Sequence, residues 1–401
     1  MAVRVLLVVF AACLWATPCL SWRELQERDI QRLFDVESAE KAPQHEIIYP
    51  YVVTEEGAFA VTGDALSSDN LRLTFQAFGE DFDLPLQRDD FGISPDFEMP
   101  AISAEGRQKL PIRTDCLYSG KWNSDPESVV TAETSEGLHV MIYRKGVPIH
   151  VTPLKDHPAS HEGVGLAHVA YKGSNEIRCG VDSSVMGPVR YTTEHETSEP
   201  VHKEAQKVLE LALYADYQLY EKHGSETGQK LIRLGAAATG LLKLQSLTGG
   251  NLNIKLTGGG VITDEDELQT TTNIVDSLFK CRDHAGDNWK APGEPFHFDN
   301  AAYVSGQPYI FTVGYAYIGV CGNKHAVSIS GFREPDGNAP TLAHEIGHNL
   351  GCRHDGTDNT CDSGTYIMAS GVPFDFNPST WSTCSKDEYD KFMATVSCYD
   401  D

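Results

Sequence analysis

The stretch from His344 to Asp355 constrains this chain more than any other part of its sequence. It reads His-Glu-Ile-Gly-His-Asn-Leu-Gly-Cys-Arg-His-Asp, so His344 and His348 stand four residues apart. On a helix this spacing puts both imidazoles on one face, where they can bind one metal ion. Gly351 can adopt the left-handed conformation that ends a helix, and the turn can bring His354 back as a third ligand. The pattern predicts a zinc site.

Three neutral imidazoles leave one coordination position of zinc open, which is typical of catalytic rather than structural sites. Glu345 directly follows the first ligand and is placed to accept a proton from water and pass it to a leaving amine. Five fixed residues in the stretch, with Met368 downstream as a candidate methionine turn, argue against an accidental cluster of surface histidines. The chemistry that this arrangement predicts is hydrolysis of peptide bonds.

The N-terminus predicts a secretory signal peptide. Arg4 is followed by an apolar run from Val5 to Trp15 and by small and polar residues up to Ser21. The run is too short to cross a bilayer of about 30 Å comfortably, which disfavours a membrane anchor. We expect residues 1–21 to be removed and the product to be extracellular. The formal net charge of −25 argues against nucleic acid or an anionic membrane as a partner.

Cysteine usage agrees with an oxidising compartment. Of the ten cysteines, Cys13 and Cys19 leave with the signal segment, and Cys116 and Cys179 lie in the first half of the remainder. Six clustered cysteines in a secreted domain favour three disulfides, although spacing alone does not choose their pairing. These six lie in the last third of the chain: Cys281, Cys321, Cys352, Cys361, Cys384 and Cys398.

Two patterns of secondary structure divide the rest of the chain. Residues 22–195 contain short β-type runs separated by turn signals, which predict a β-rich domain. The polar, aperiodic residues 191–201 predict a linker, after which a second domain occupies 200–401. The clearest strand patterns of the first domain are Glu46–Val53, Leu71–Phe75 and Val140–Tyr143.

Strands and helices alternate in the second domain, which argues for a sheet covered by helices, an α/β fold. The composition of Val208–Ala215 would permit a helix as well as a strand. The expected strands are Val208–Ala215, Asn253–Thr257 and Ala326–Ser330. The expected helices are Glu226–Leu247, Glu265–Lys280 and one that begins at about Thr341.

Together these residues resemble the adamalysin or reprolysin branch of the metzincins, the group of snake-venom metalloproteases, ADAM and ADAMTS proteins. Asp355 directly after the third histidine is characteristic of that branch, and Ser370 stands where an astacin-like chain has a tyrosine. The likeness extends to Leu209–Asp216, Glu46–Pro50 and Asp115–Gly120. It implies a metzincin catalytic domain, with a mixed five-stranded sheet and a small C-terminal subdomain, preceded by a β-rich prodomain.

The resemblance implies a secreted zinc endopeptidase made as an inactive precursor, in a minimal form of prodomain plus catalytic domain. We expect a monomer that cleaves extracellular or host proteins, bound as an extra strand along Ala326–Ser330. A venom, salivary or tissue role stays open. The competing class is a secreted binding protein that keeps the fold and the zinc without catalysis. The intact Glu345 and its three neighbouring histidines weigh against that class.

Cys179 resembles the cysteine switch of the family, in which a thiolate of the prodomain fills the open zinc position. The prodomain would then act as the inhibitor of its own catalytic domain. The alternative is a Cys116–Cys179 disulfide, which the number of cysteines also allows. No Arg-x-x-Arg processing site precedes the second domain, and Arg190 is the only basic residue near the expected boundary.

Two further features are implied by the resemblance alone. One is a pair of disulfides, Cys321–Cys398 and Cys361–Cys384, which leaves Cys281 and Cys352 without assigned partners. The other is a calcium site where the first strand meets the C-terminus, since hard oxygen ligands suit calcium. Ordinary solvated carboxylates are the alternative to that site. The matching calcium positions are Glu210, Asp299, the carbonyl of Cys398 and Asp401.

Overall fold

The computed structural model describes residues 25–54, 57–61, 68–135, 137–154, 157, 160, 165–173, 179, 206–310, 312–371 and 378–400. The expected signal segment, the expected linker and Asp401 lie outside these residues. We call the described residues up to 173 the N-terminal region and those from 206 onward the C-terminal region.

The N-terminal region begins with helix α1, Glu27–Phe34, which buries Ile30 and Phe34. Ten of its strands in the described residues form one antiparallel sheet, in the order β1-β13-β12-β11-β10-β9-β5-β4-β2-β3. This confirms a β-rich N-terminal region. The strands are β1 His45–Ile48, β2 Tyr51–Thr54, β3 Gly57–Ala60, β4 Asn70–Ala77, β5 Glu80–Arg88, β6 Ile93–Glu98, β7 Ala101–Ser103, β8 Gly106–Gln108, β9 Leu117–Gly120, β10 Val129–Glu133, β11 His139–Tyr143, β12 Ile149–Pro153 and β13 His168–Lys172.

The C-terminal region is a mixed sheet with helices, which confirms the predicted α/β class. Within the described residues its five strands lie in the order β17-β18-β16-β14-β15, parallel except for β17. The strands are β14 Lys207–Ala215, β15 Leu252–Ile262, β16 Asn300–Ser305, β17 Gly314–Ala316 and β18 Val327–Gly331. The helices are α2 Tyr217–His223, α3 Thr227–Leu242, α4 Gln245–Thr248, α5 Ile274–Asn288, α6 Ala339–Asn349 and α7 Thr383–Met393.

Local chemistry explains where the helix boundaries differ from those predicted. The helix expected at Glu265–Lys280 begins instead at Ile274, because the side chain of Asn273 accepts hydrogen bonds from the backbone N–H groups of Val275 and Asp276. An asparagine at this position starts a helix by satisfying donors that have no partner inside the helix. Residues 265–272 therefore belong to a loop.

The edge of the sheet that faces the histidine stretch is β17, and the expectation that Ala326–Ser330 forms this edge was wrong. Strand β18 lies between β16 on one side and β17 on the other, with Tyr315 opposite Ile329. Strand β17 has three residues, too few to show the alternation by which a strand is recognised in a sequence. A peptide that adds to this side of the sheet meets Gly314–Ala316.

The structure contains both implied disulfides, Cys321–Cys398 and Cys361–Cys384. The third disulfide favoured by the cysteine count is absent from the described residues, because Cys281 and Cys352 are free thiols. They cannot meet, since they belong to different hydrophobic clusters that contain alternate residues of β14 and therefore lie on opposite faces of the sheet. No helix in the described part of the chain is long and apolar enough to cross a membrane.

Candidate metal and catalytic site

Helix α6 carries the first two histidines of the predicted site. Its N-terminus is capped by Asn338, whose side chain accepts a hydrogen bond from the N–H of Thr341. A side chain at Gly347 would collide with the ring of Trp381 and the sulfur of Met368, so glycine is required where these residues pack beneath the helix. Gly351 has a φ of 93°, which confirms the left-handed turn predicted after the helix.

This turn brings the three predicted histidines together. Nε2 of His354 lies 3.2 Å from Nε2 of His344 and 3.2 Å from Nε2 of His348. All three side chains are buried, and burial lowers the pKa of His344 to about 3 and that of His354 to about 4. The histidines are therefore neutral at physiological pH, the form in which imidazole binds a metal.

Backbone carbonyls fix which nitrogen of two rings carries the proton. Nδ1 of His344 donates to the carbonyl of Ile367 (2.6 Å), and Nδ1 of His348 donates to the carbonyl of Cys352 (2.8 Å). Because a carbonyl can only accept, both Nε2 atoms hold lone pairs that point toward His354. Converging lone pairs repel one another unless a cation lies between them, so these residues could hold a metal ion such as zinc.

Glu345 lies beside this cluster and is fully buried. Burial raises the pKa of its carboxyl well above the usual value. Its Oε2 lies 3.6 Å from the sulfur of Cys179, and within the described residues its Oε1 has no hydrogen-bond partner. A Cβ on Gly314 of β17 would lie 2.0 Å from Oε1, so the edge strand approaches this carboxylate closely enough to require glycine.

The predicted inhibitory thiol lies at the same site. The sulfur of Cys179 is 3.5 Å from Nε2 of His348, and the four potential ligand atoms of Cys179 and the three histidines lie within 4.8 Å of one another. The backbone N–H of Cys179 donates to the carbonyl of Ser370 (3.3 Å), and Cys179 forms a parallel bridge with Gly314. Cys179 therefore lies between the edge strand and the segment after Met368.

The alternative Cys116–Cys179 disulfide is not formed. The thiol of Cys116 is buried in the N-terminal region, where it donates to Oε1 of Glu133 (3.2 Å). Burial, with the nearby charge of Glu133, raises the pKa of Cys116 to about 12. Cys116 and Cys179 thus lie in separate environments and are not bonded to each other.

Asp355 supports the turn that carries the third histidine. Its Oδ1 accepts a hydrogen bond from Ser382, the residue that caps helix α7 (2.5 Å), and its backbone N–H donates to the carbonyl of Met368 (2.9 Å). Burial raises the pKa of Asp355 to about 6. The aspartate thereby ties the histidine turn both to the methionine turn and to the last helix.

Two of the four expected calcium positions lie together. Asp299 accepts a hydrogen bond from the backbone N–H of Glu210 (2.9 Å). Both carboxylates also have basic neighbours, since Lys255 donates to Glu210 (2.5 Å) and Nε2 of His297 is 3.4 Å from Asp299. Cys398 is in the disulfide to Cys321. The arrangement sets the two carboxylates beside a lysine and a histidine, and Asp401 lies outside the described residues.

Several groups of the site could not be identified in the sequence. The carbonyls of Ile367, Cys352 and Ser370 orient two histidines and Cys179, but every residue has a carbonyl and none of these residue types marks the role. The need for glycine at position 314 becomes evident only from the close approach of Glu345 to β17. The sequence identified only those side chains of the site whose spacing along the chain is typical of such a site.

Comparison with known proteins agrees with this geometry. Residues 207–398 match the sequence model of the family described as reprolysin (M12B) family zinc metalloprotease. The chain is also 26% identical over 380 residues to "Disintegrin and metalloproteinase domain-containing protein 19" of Mus musculus, an alignment that covers 88% of this chain and 39% of that protein. The chain thus spans well under half the length of this curated relative. Together the two matches support a reprolysin-type zinc metalloprotease over residues 207–398.

Proposed function

We propose that this chain is the inactive precursor of a secreted zinc-dependent endopeptidase, in which His344, His348 and His354 hold the zinc ion and Glu345 is the general base. The observation that carries this proposal is the convergence of three neutral histidine nitrogens beside a buried carboxylate. Three protein ligands leave a position for water, as hydrolysis requires. A binding protein without catalysis would have no use for the carboxylate.

Different residues of the chain have different roles in the proposed hydrolysis. Zinc bound to the histidines would polarise the scissile carbonyl and make water more acidic. Glu345 takes a proton from the attacking water and delivers it to the leaving nitrogen, so one side chain acts first as base and then as acid. Gly314–Ala316 of β17 offers backbone groups to which an extended substrate can add as a further strand.

The N-terminal region acts in this proposal as a prodomain, residues 22–195, that keeps the catalytic domain, 200–401, inactive. The support for this role is the position of Cys179, whose thiol lies 3.5 Å from His348 and whose backbone bridges to β17. A cysteine there excludes both water and substrate from the site. Activity then requires that the Cys179 segment leave, through cleavage of the chain before residue 206 or through chemical modification of the thiol.

Proteins outside the cell are the proposed substrates. The pattern of residues 1–21 supports secretion, and the mouse relative is named as a metalloproteinase domain-containing protein. We also propose calcium at Glu210, Asp299, the carbonyl of Cys398 and Asp401. Calcium binding would require Lys255 to leave Glu210. Added calcium should then raise the melting temperature of the processed protein, and the Glu210→Gln variant should lose that rise.

The proposal is tested by cleavage of casein with the processed protein, with and without a zinc chelator. Glu345→Gln keeps the shape of the side chain but removes the base, and we expect it to lower kcat about 1,000-fold or more. The matched control is Glu267→Gln, the same change at an exposed site. Chelation should abolish activity, and zinc should restore it. A folded, zinc-loaded wild type that cleaves no protein would establish the binding-protein alternative instead.

A further inference from the structure

The outer strand of the catalytic sheet, β15, is covered along its edge by residues 91–103, which we call the docking segment. Strands β6 and β7 of this segment run parallel to β15 and pair with it near Gly258 and at Ile262. Three backbone N–H groups of the C-terminal region donate to its carbonyls. They are Leu256 to Gly92 (2.9 Å), Val261 to Pro100 (2.9 Å) and Thr263 to Ile102 (2.8 Å).

The apolar side chains of the docking segment pack into the C-terminal region. Ile102 is 4% exposed, and every other buried member of its cluster in the described residues comes from the C-terminal region. Met99 and Phe91 are also 4% exposed and pack in the cluster on the other face of the sheet. The main cluster of the ten-stranded sheet contains none of these three residues. The segment therefore completes the core of the neighbouring region.

Two glycine residues of β15 lie against different neighbours, one against the catalytic sheet and the other against the docking segment. A Cβ on Gly259 would lie 1.7 Å from the carbonyl oxygen of Leu213 on β14, so the catalytic sheet itself requires this glycine. A Cβ on Gly260 would meet Ile102 at 2.3 Å and Pro100 at 3.4 Å, and its three nearest neighbours all belong to the docking segment. Gly260 leaves room for another chain to approach.

We propose that the β15 edge is a second peptide-binding site, which takes an extended parallel chain, and that its ligand is the docking segment. The inference rests on the proposed function in treating the N-terminal region as a prodomain. An unpaired edge of 11 residues invites aggregation, and the docking segment supplies the backbone acceptors and apolar side chains that cover it. The prodomain is then held at β15 and, through Cys179, at β17, in addition to the packing of its strand β10 against helix α3.

Attachment at several points makes the binding multivalent. Release of Cys179 leaves the docking segment in place, where the prodomain stays at a high local concentration and rebinds. Cleavage of the chain between the two regions therefore yields an associated pair of fragments rather than a free catalytic domain. Dissociation requires that the three backbone hydrogen bonds to the docking segment break and that the side chain of Ile102 leaves its cluster.

The test uses the full chain with the recognition sequence of a site-specific protease inserted between residues 191 and 200. Glu345→Ala removes proteolysis and Cys179→Ser removes the thiol, so the readout is independent of whether the chain is an enzyme. After cutting, size-exclusion chromatography over a dilution series gives the Kd of the two fragments. We expect the fragments to elute together.

Two variants disrupt the contact between the docking segment and β15, one in each partner. Ile102→Asp puts a charge against the C-terminal core, and Gly260→Val fills the space that the segment occupies. Each should raise the Kd about 100-fold or more while circular dichroism shows that both fragments stay folded. The control is Gln108→Asp, which adds the same charge at an exposed position of β8 and should leave the Kd unchanged.

Three outcomes would overturn the proposal. The first is separation of the parent fragments at the concentrations at which the Ile102→Asp fragments separate. The second is a parental Kd for Gly260→Val and Ile102→Asp alike, which would assign the association to the rest of the interface. The third is a C-terminal fragment that leaves the prodomain and elutes at twice its mass, which would make a second copy the partner of β15.

Discussion

Arg233 of helix α3 donates a hydrogen bond of 2.9 Å to Glu133, at the end of β10 in the opposite region of the chain, and both side chains are less than a tenth exposed. Burial alone would raise the pKa of Glu133, but the charges of Arg233 and His139 and the hydrogen bonds from Ser135 hold it below its usual value. The carboxylate is therefore ionised, and this buried ion pair joins the two regions.

Removal of one partner of this pair should destabilise the full chain strongly. Arg233→Met leaves a carboxylate buried without its cation, and we expect the free energy of unfolding, measured with urea, to fall by about 3–5 kcal/mol. Glu133→Gln in the same chain should restore part of the loss. Arg72→Met, which breaks the exposed pair of Arg72 with Asp83, is the control and should have no measurable effect. Equal effects of the buried and exposed changes would contradict this account.

Gly314 should limit the position of the general base. A methyl group there would lie 2.0 Å from Oε1 of Glu345, and the flexible carboxylate would yield by moving. We expect Gly314→Ala to lower kcat/KM of the processed enzyme on a peptide substrate about 100-fold, since small misplacements of a catalytic group have effects of this size. Zinc content should not change. Gly331→Ala on β18, where the nearest contact would be 3.2 Å, is the matched control.

The four cysteines outside the two disulfides should differ sharply in reactivity. Cys179 is partly exposed, whereas Cys116, Cys281 and Cys352 are buried, and burial raises the pKa of each of these three thiols. Iodoacetamide on the folded precursor, followed by mass spectrometry, should modify Cys179 alone among these four. A chelator should speed that modification if the thiol binds zinc. Modification of the buried thiols before unfolding would show that the core opens.

The convergence of His344, His348 and His354 could be predicted because its geometry is local. Two histidines four residues apart on a helix, followed by a glycine turn, specify a site without knowledge of the rest of the fold. Helix α6 could also be predicted, because the histidine spacing marks it, and β14 was expected as a strand although its composition also permitted a helix. The fold class followed from the alternation of strands and helices and from the resemblance to a known family.

What could not be predicted depends on contacts between distant segments. The free thiols of Cys281 and Cys352 follow from the faces of a sheet that spacing does not reveal. Strand β17 is too short to carry a pattern, so the substrate edge was assigned to its neighbour. The docking segment, residues 91–103, resembles any other short β-type run, and its partner strand lies about 150 residues further along the chain.

His168, a fully buried residue of β13, should make the stability of the chain depend on pH. Its Nδ1 donates to the carbonyl of Leu166 (2.8 Å), and its Nε2 accepts a hydrogen bond from the N–H of Leu138 (3.3 Å). Both ring nitrogens are thus used by the neutral form, and a second proton would displace the N–H of Leu138. Burial lowers the pKa of His168 to about 3.

This shift makes the stability of the chain depend on pH below neutrality. The unfolded chain binds the proton at a pKa of about 6.5, so the stabilisation from a neutral His168 is complete above that pH. Between about pH 6.5 and pH 3 each unit of pH removes about 1.4 kcal/mol from the free energy of unfolding. Urea denaturation at a series of pH values should show a slope that includes this contribution, and His168→Gln should reduce the slope by about 1.4 kcal/mol per pH unit. An unchanged slope in His168→Gln would mean that His168 does not titrate on unfolding in this range.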